Sequence, residues 1–287
     1  MNLIPPPLAV TGSTGELGGR VAALLSAAGV KQRLLARTPR KAPPLDGATV
    51  LQAAYENTSG TRTALAGAET VFMVSASESR DRLEQHCDFV DAAVAAGVHH
   101  LIYVSFIGAA QDAVFTLARD HYATEEYIRA SGLQYTFLRD NFYADFLPDL
   151  VGADGVIRGP GGDGKAAVVA RADVARTAAA ILREPGRHLG ATYELTGPEA
   201  LSLAEVAQIL SNVGPRQVSY VDETVQEAYA SRASYGAPQW QLDAWVSTYQ
   251  AIAAGALQDV SGDIERITGQ PPMSLAQLLH SPRAGAA

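Results

Sequence analysis

A glycine triplet constrains this chain more than any other feature. Leu8-Ala9-Val10 reads as a short strand and runs straight into Thr11-Gly12-Ser13-Thr14-Gly15-Glu16-Leu17-Gly18. From Leu17 the apolar positions Val21, Leu24 and Leu25 recur at helical spacing, and Gly29 supplies a stop. Gly12 permits a tight strand-to-helix turn, Gly15 lets a ligand approach the backbone, and Gly18 lets the helix pack closely on the strand. The helix start then offers unpaired N–H groups and positive partial charge, which suits a pyrophosphate. An ordinary glycine-rich turn is the plainer reading, and the strand-turn-helix setting argues against it. Gly12, Ser13, Thr14, Gly15, Glu16, Leu17 and Gly18 are therefore candidate dinucleotide contacts, with the Glu16 side chain expected to point outward.

The next 110 residues repeat the strand-then-helix alternation. Arg33–Ala36, Thr49–Leu51, Thr70–Val74, His100–Val104 and Tyr135–Leu138 read as strands, the fourth strand of the chain (Thr70–Val74) continuously apolar as in a sheet covered on both faces. Between them, Leu83, Cys87, Val90 and Val94 form a helical stripe ending at Gly97, and a second helix runs from about Leu117 to Ala130. After residue 140 the chain becomes turn-rich, with Asp154-Gly155 and Gly159-Pro160-Gly161-Gly162-Asp163-Gly164. A strand at 166–170, a helix from Asp173, a strand at Tyr193–Thr196 and capping boxes at Ser202 and Ser274 follow. The class expected is α/β, a Rossmann doubly wound parallel sheet with a smaller mixed α/β C-terminal lobe. The expected division is 1–185 for the dinucleotide-binding domain, with 140–165 contributing to its cleft, and 186–287 for the smaller substrate-side lobe.

Composition narrows the function. The 287 residues carry a net charge of −8 and no run of Lys and Arg, so nucleic acid has no electrostatic invitation. Cys87 is the single cysteine, which excludes a disulfide framework and a Cys-based zinc site, and His99-His100 lacks further ligands at metal spacing. Three prolines interrupt the start, Met1 to Pro7, before a signal sequence could form, and no apolar run is long enough for a membrane span. A soluble cytoplasmic protein, monomeric or homodimeric, is expected.

The segment after the second strand selects between dinucleotides. An acid there would bind a ribose 2′-hydroxyl, but this chain has Ala36-Arg37-Thr38-Pro39-Arg40-Lys41. Arg37 and Lys41 favour the 2′-phosphate of NADP, so NADPH is expected over NADH, unless the loop is merely solvated.

At these residues the chain resembles the short-chain dehydrogenase/reductase superfamily, and more closely its atypical NmrA-like branch, which contains the type 2 NADPH:quinone oxidoreductases. The glycine turn and Arg37–Lys41 carry the likeness. So do His121-x-x-x-Glu125 with Ser131–Arg139, Gly162–Lys165 with Arg171-x-Asp173-Val174-Ala175, and the ending Ile267–Pro272. The chain departs from the superfamily's usual Tyr-x-x-x-Lys pair: four residues before Lys31, Lys41 and Lys165 stand Ala27, Arg37 and Gly161. The branch often places an acid after the third strand, near the adenine, where this chain has Ala53-Ala54-Tyr55.

The resemblance implies an NADPH-dependent reductase acting on a planar acceptor, a quinone or conjugated carbonyl, in a cleft beside the sheet edge. The alternative is a non-catalytic NADP(H) sensor of the NmrA type that acts through a protein partner. It further implies that Ser75, Ala76, Ser77, Ser105 and Phe106 line the ribose and nicotinamide, and that Asn141, Phe142 and Tyr143 lie near the nicotinamide, with Tyr143, and Phe146 beyond it, able to stack on the acceptor; the plainer reading, favoured for Phe146 by itself, is aromatics that pack the lobe. His121 is the first catalytic candidate and Tyr143 the second. His121 would sit beside the nicotinamide, oriented by Glu125 one helical turn on; the plainer reading is a pair that only tunes helix stability. Cys87 is expected in the core, as are Trp240, Trp245 and Tyr249.

Overall fold

The alternation of buried strands and amphipathic helices does build a doubly wound sheet. In the computed structural model, which describes residues 5–281, the chain runs β1 (Leu8–Val10), α1 (Glu16–Ala27), β2 (Gln32–Ala36), β3 (Ala48–Gln52), α2 (Ser59–Leu65), β4 (Thr70–Met73), α3 (Arg82–Ala95), β5 (His100–Phe106), α4 (Thr116–Ala130) and β6 (Gln134–Asp140). It continues with β7 (Val156–Gly159), β8 (Lys165–Ala166), α5 (Arg171–Arg183), β9 (Ala191–Leu195), β10 (Leu201–Ser202), α6 (Leu203–Val213), β11 (Ser219–Asp222), α7 (Val225–Arg232), α8 (Gln239–Ala253), α9 (Asp263–Thr268) and α10 (Leu275–His280).

One seven-stranded parallel sheet has the order β3-β2-β1-β4-β5-β6-β9. The order reverses between β1 and β4, whose carboxyl ends open side by side, and that is where such sheets bind ligands. Every residue of β2, β4 and β5 is buried, as in a sheet covered on both faces. Two polar side chains of β2 are buried with the rest: Gln32 donates from Nε2 to the Ala22 carbonyl at 2.7 Å, and the Arg33 guanidinium donates to the carbonyls of Pro5, Pro6, Ala64 and Ala66 and so is satisfied without a carboxylate.

Two compact units interleave along the chain. The first takes the described residues up to Gln111, Asp120–Arg139 and Val174–Tyr193; the second takes Asp112–Arg119, Asp140–Asp173 and the described residues from Glu194. The reason is β9, which pairs beside β6 and returns the chain to the first unit's sheet as far as Tyr193. The second unit holds two small sheets, β8 with β10 antiparallel and β7 with β11 parallel. The strand expected over 166–170 shrinks to Lys165–Ala166, because Ala167 and Val169 turn instead to bond Leu257 and Phe142.

Of the stripe expected on α3, only Val90 lies on its buried face. Val94 is exposed and Leu83 and Cys87 are half-buried, whereas Arg82, His86, Phe89, Val90 and Ala93 are buried. Cys87 is therefore not a core residue. The core face rotates because two polar side chains find buried partners, described below. Trp240 and Trp245 on α8 are likewise half-buried, and only Tyr249 is buried. Among the described residues no helix is long and apolar enough to cross a membrane.

Candidate functional site

The first unit opens a cavity of about 440 Å³ at the ends of β1, β2 and β4. Its floor is the glycine turn. Gly12 has φ +64°, a conformation that favours glycine, and a Cβ there would press on the Val74 side chain at 3.0 Å. Gly18 is required more strictly: a Cβ would fall 2.3 Å from the Gly12 carbonyl oxygen. Gly15 caps α1 with no side-chain hydrogen bond, its own N–H donates to the Gly12 carbonyl at 2.9 Å, and Gly15, Glu16, Leu17 and Gly18 line the cavity. The Glu16 carboxylate points away into solvent, 3.6 Å from Arg20.

A closed ring of hydrogen bonds locks the turn. The Val74 N–H donates to Thr11 Oγ1 at 2.9 Å; the Thr11 hydroxyl donates to Tyr55 Oη at 2.7 Å; and the Tyr55 hydroxyl donates to the Val74 carbonyl. Three separate segments, following β1, β3 and β4, are thus tied by three side-chain contacts. Burial pushes the Tyr55 phenol well up, and its ring meets Phe89 edge-on at 4.8 Å. Tyr55 stands where the branch often carries an acid, and the acid of this chain comes one residue later: Glu56 lines the same cavity.

Of the expected contacts, Gly12, Thr14, Gly15, Glu16, Leu17, Gly18, Arg37, Ser75, Ala76 and Ser77 line the cavity. Arg37 is exposed and makes no ion pair among the described residues, while Lys41 ends a 3₁₀ turn in solvent outside the lining. Ser13 is buried behind the turn with an unpartnered hydroxyl. Thr11, Tyr55, Glu56, Ser79, Gln85 and Phe89 also line it and were not expected; Ser79 and Gln85 lie on or just after the loop that follows β4, where no pattern marks a ligand contact.

His121 is buried and both its ring nitrogens are used. Arg82 Nη2 donates to Nε2 at 2.9 Å, so Nδ1 carries the proton and donates to Tyr103 Oη at 2.9 Å. Burial, with Arg82 and His86 nearby, holds its pKa well below the usual imidazole value. Glu125 does not orient it. Although Glu125 lies one turn away on α4, its carboxylate accepts both Nε and Nη2 of Arg139, at 2.8 and 2.7 Å, and the Ser105 hydroxyl at 2.6 Å. A fully buried carboxylate needs such a bidentate cation more than it needs a neutral imidazole. Ser105 is thereby consumed, and Phe106 is buried at the end of β5.

In the second unit, Asn141 is 1% exposed: its amide donates to the Leu257 carbonyl at 2.9 Å and its oxygen accepts from the Phe142 N–H at 2.7 Å. The Tyr143 hydroxyl donates to Asp140, and the Arg171 guanidinium lies 4.8 Å over its ring. Burial and the Asp140 carboxylate push its pKa well above the usual phenol range. Phe146 is exposed and meets Phe142 edge-on at 5.9 Å.

The chain is similar to known proteins over nearly its whole length. Quinone oxidoreductase 2 of Escherichia coli is 35% identical over 94% of this chain and 96% of its own. The NAD(P)H azoreductase of Xenophilus azovorans is 32% identical over 97% and 99%. The structure of the E. coli NADPH-dependent quinone oxidoreductase in complex with NADPH superposes with a TM-score of 0.86 at 33% identity, covering 95% of this chain and 98% of that one. Residues 12–185, from the first glycine of the turn to the end of α5 and just beyond, match a family described as NAD(P)H-binding. With its cavity floored by glycine, walled by the start of α1 and edged by Arg37, this chain belongs to the NAD(P)H-binding family.

Proposed function

We propose that the chain is an NADPH-dependent reductase whose acceptor is a quinone or a similarly conjugated carbonyl. The observation that carries the coenzyme is the edge of the cavity. Arg37 stands there without a carboxylate partner among the described residues, at the position where a ribose-binding acid would repel a 2′-phosphate. The turn Gly12–Gly18 would hold the diphosphate through backbone N–H groups, and Ser75, Ala76 and Ser77 would form the facing wall. NADPH bound there supplies a hydride.

The chain's own residues argue for the acceptor class. His121 has no proton to give from Nε2, and its Nδ1 proton is held by Tyr103. The Tyr143 phenol keeps its proton on Asp140. With neither positioned to act as general acid, the chemistry that fits best is one whose product oxygens take protons from water. Reduced quinones do so, while unactivated ketones need a donor in the transition state. His121 and Tyr143 then act by holding their surroundings rather than by moving protons.

Steady-state NADPH oxidation against a panel of quinones, an enone and a simple ketone tests this, with NADH as the control. Turnover with quinones, little with the ketone and a preference for NADPH are expected. Turnover with NADH but not NADPH would remove the role given to Arg37. Tight NADPH binding with no acceptor reduced would favour the sensor reading.

A further inference from the structure

The wall that faces the glycine turn lies on a loop with no proline to stiffen it, Val74 to Asp81. Its Ala76 peptide is gripped at both ends by α3. The Ala76 N–H donates to His86 Nε2 at 2.8 Å, and Arg82 Nε donates to the Ala76 carbonyl at 3.0 Å. Arg82 and His86 are four residues apart, so one helix face presents both. Neither is free to swing. His86 donates from Nδ1 to Thr124 Oγ1 at 2.9 Å, and Thr124 donates onward to the Asp120 carbonyl at 2.7 Å. Arg82 spends Nη2 on His121, which Tyr103 holds in turn, and Nη1 faces the Asp120 carboxylate at 3.8 Å. Residues of α4 and β5 therefore brace the two side chains from behind.

We propose that Arg82 and His86 are positioning residues for the bound dinucleotide: by holding the Ala76 peptide at both ends they fix the Ser75–Ala76–Ser77 wall against which the coenzyme seats. This rests on the reading of the cavity as the NADP(H) site. Without the clamp, a buried amide and carbonyl lose their partners and the loop relaxes toward water, so the wall is no longer preorganised. His121 belongs to the same assembly as the acceptor that keeps Arg82 in place.

The two nitrogens of His86 can be separated by substitution. Glutamine puts its amide oxygen where Nε2 accepts from Ala76, whereas asparagine is too short to reach that amide and keeps only the side facing Thr124. Calorimetric titration with NADPH, KM and kcat with a quinone acceptor, and hydrogen exchange over 74–81 are read on the unaltered chain, His86→Asn and His86→Gln. The expected result is a rise of about tenfold in Kd and KM for NADPH in His86→Asn, with kcat within about twofold and faster exchange at 74–81. His86→Gln should return the Kd to within about threefold of the unaltered chain. If His86→Asn does not give folded protein, Arg82→Lys, which can reach Ala76 or His121 but not both, is read in its place and should show the same split between KM and kcat. An unchanged Kd in the folded variant, or equal impairment by Asn and Gln, overturns the clamp alone. Failure of the unaltered chain to bind NADPH overturns the coenzyme reading and this one with it.

Discussion

The floor and the far wall of the nucleotide cavity are built in opposite ways. The floor is backbone, and Gly12 and Gly18 shape it by what they lack. The wall is held by side chains, an arginine and two histidines from α3 and α4, each spending its polar atoms on the next. At Gly18 this cradle tolerates no added atom, because the obstacle is main chain that cannot step aside. A side-chain clamp tolerates change of size but not of hydrogen-bonding type. The floor should therefore fail abruptly and the wall by degrees.

The largest effect is expected from Gly18→Ala. Its methyl carbon would meet the Gly12 carbonyl oxygen at 2.3 Å, so α1 or the turn must shift. Overpacking of this kind costs about 1–3 kcal/mol and spoils the N–H geometry besides, so NADPH affinity should fall by about a hundredfold with a lowered Tm. Calorimetry and thermal unfolding would check both; near-normal binding would mean that the floor is more pliable than the wall, reversing the comparison.

Arg37→Ala sharpens it at the cavity edge. Loss of charge-assisted bonds worth about 1.5–3 kcal/mol predicts a Kd for NADPH some 10- to 100-fold weaker, with NADH hardly changed. Parallel titrations with the two coenzymes read this directly, and an equal loss for both would place Arg37 elsewhere than at the 2′-phosphate.

A further effect concerns acid stability of the wall. Burial, with Arg82 beside it, lowers the His86 pKa from 6.5 to about 3. Between those values the unfolded chain binds a proton that the folded chain refuses, so stability is intact above about pH 6.5 and is lost as pH falls toward 3. One such group contributes about 1.4 kcal/mol per pH unit in that window. Denaturant unfolding of His86→Gln should accordingly show a shallower decline from pH 6 to pH 4 than the unaltered chain, while His121 and His100, also held low by burial, keep part of the slope. Identical slopes would mean that His86 is charged in the folded protein.

The same contrast explains what could be read without the structure. Gly12, Gly15 and Gly18 announce themselves because spacing on one short segment carries their meaning. Arg37 does so because one strand end decides which coenzyme phosphate is welcome. On α3, by contrast, apolar periodicity pointed to Leu83, Cys87, Val90 and Val94, of which only Val90 is buried, and the rest of the buried face belongs to Arg82, His86, Phe89, Ala92 and Ala93. A hydropathy pattern counts arginine and histidine as solvated, and cannot register that Ala76, Thr124 and His121 satisfy them from elsewhere in the chain. Likewise His121 and Glu125 look like partners at one-turn spacing, yet Arg139 on β6 and Tyr103 on β5 take them apart. Tyr55 could not be seen at all as the link that joins Thr11 to Val74.

The sequence alone determined the strand-turn-helix entrance, the parallel sheet that follows from repeated alternation, and the charge offered beside the second strand, since each depends on residues that are neighbours along the chain. Only the tertiary structure decided which polar side chains may be buried, how the two units interleave, and which nitrogen of each histidine bears the proton. Those outcomes depend on hydrogen-bond partners tens of residues away, whose worth comes from exclusion of water once the sheet and its helices have closed over them.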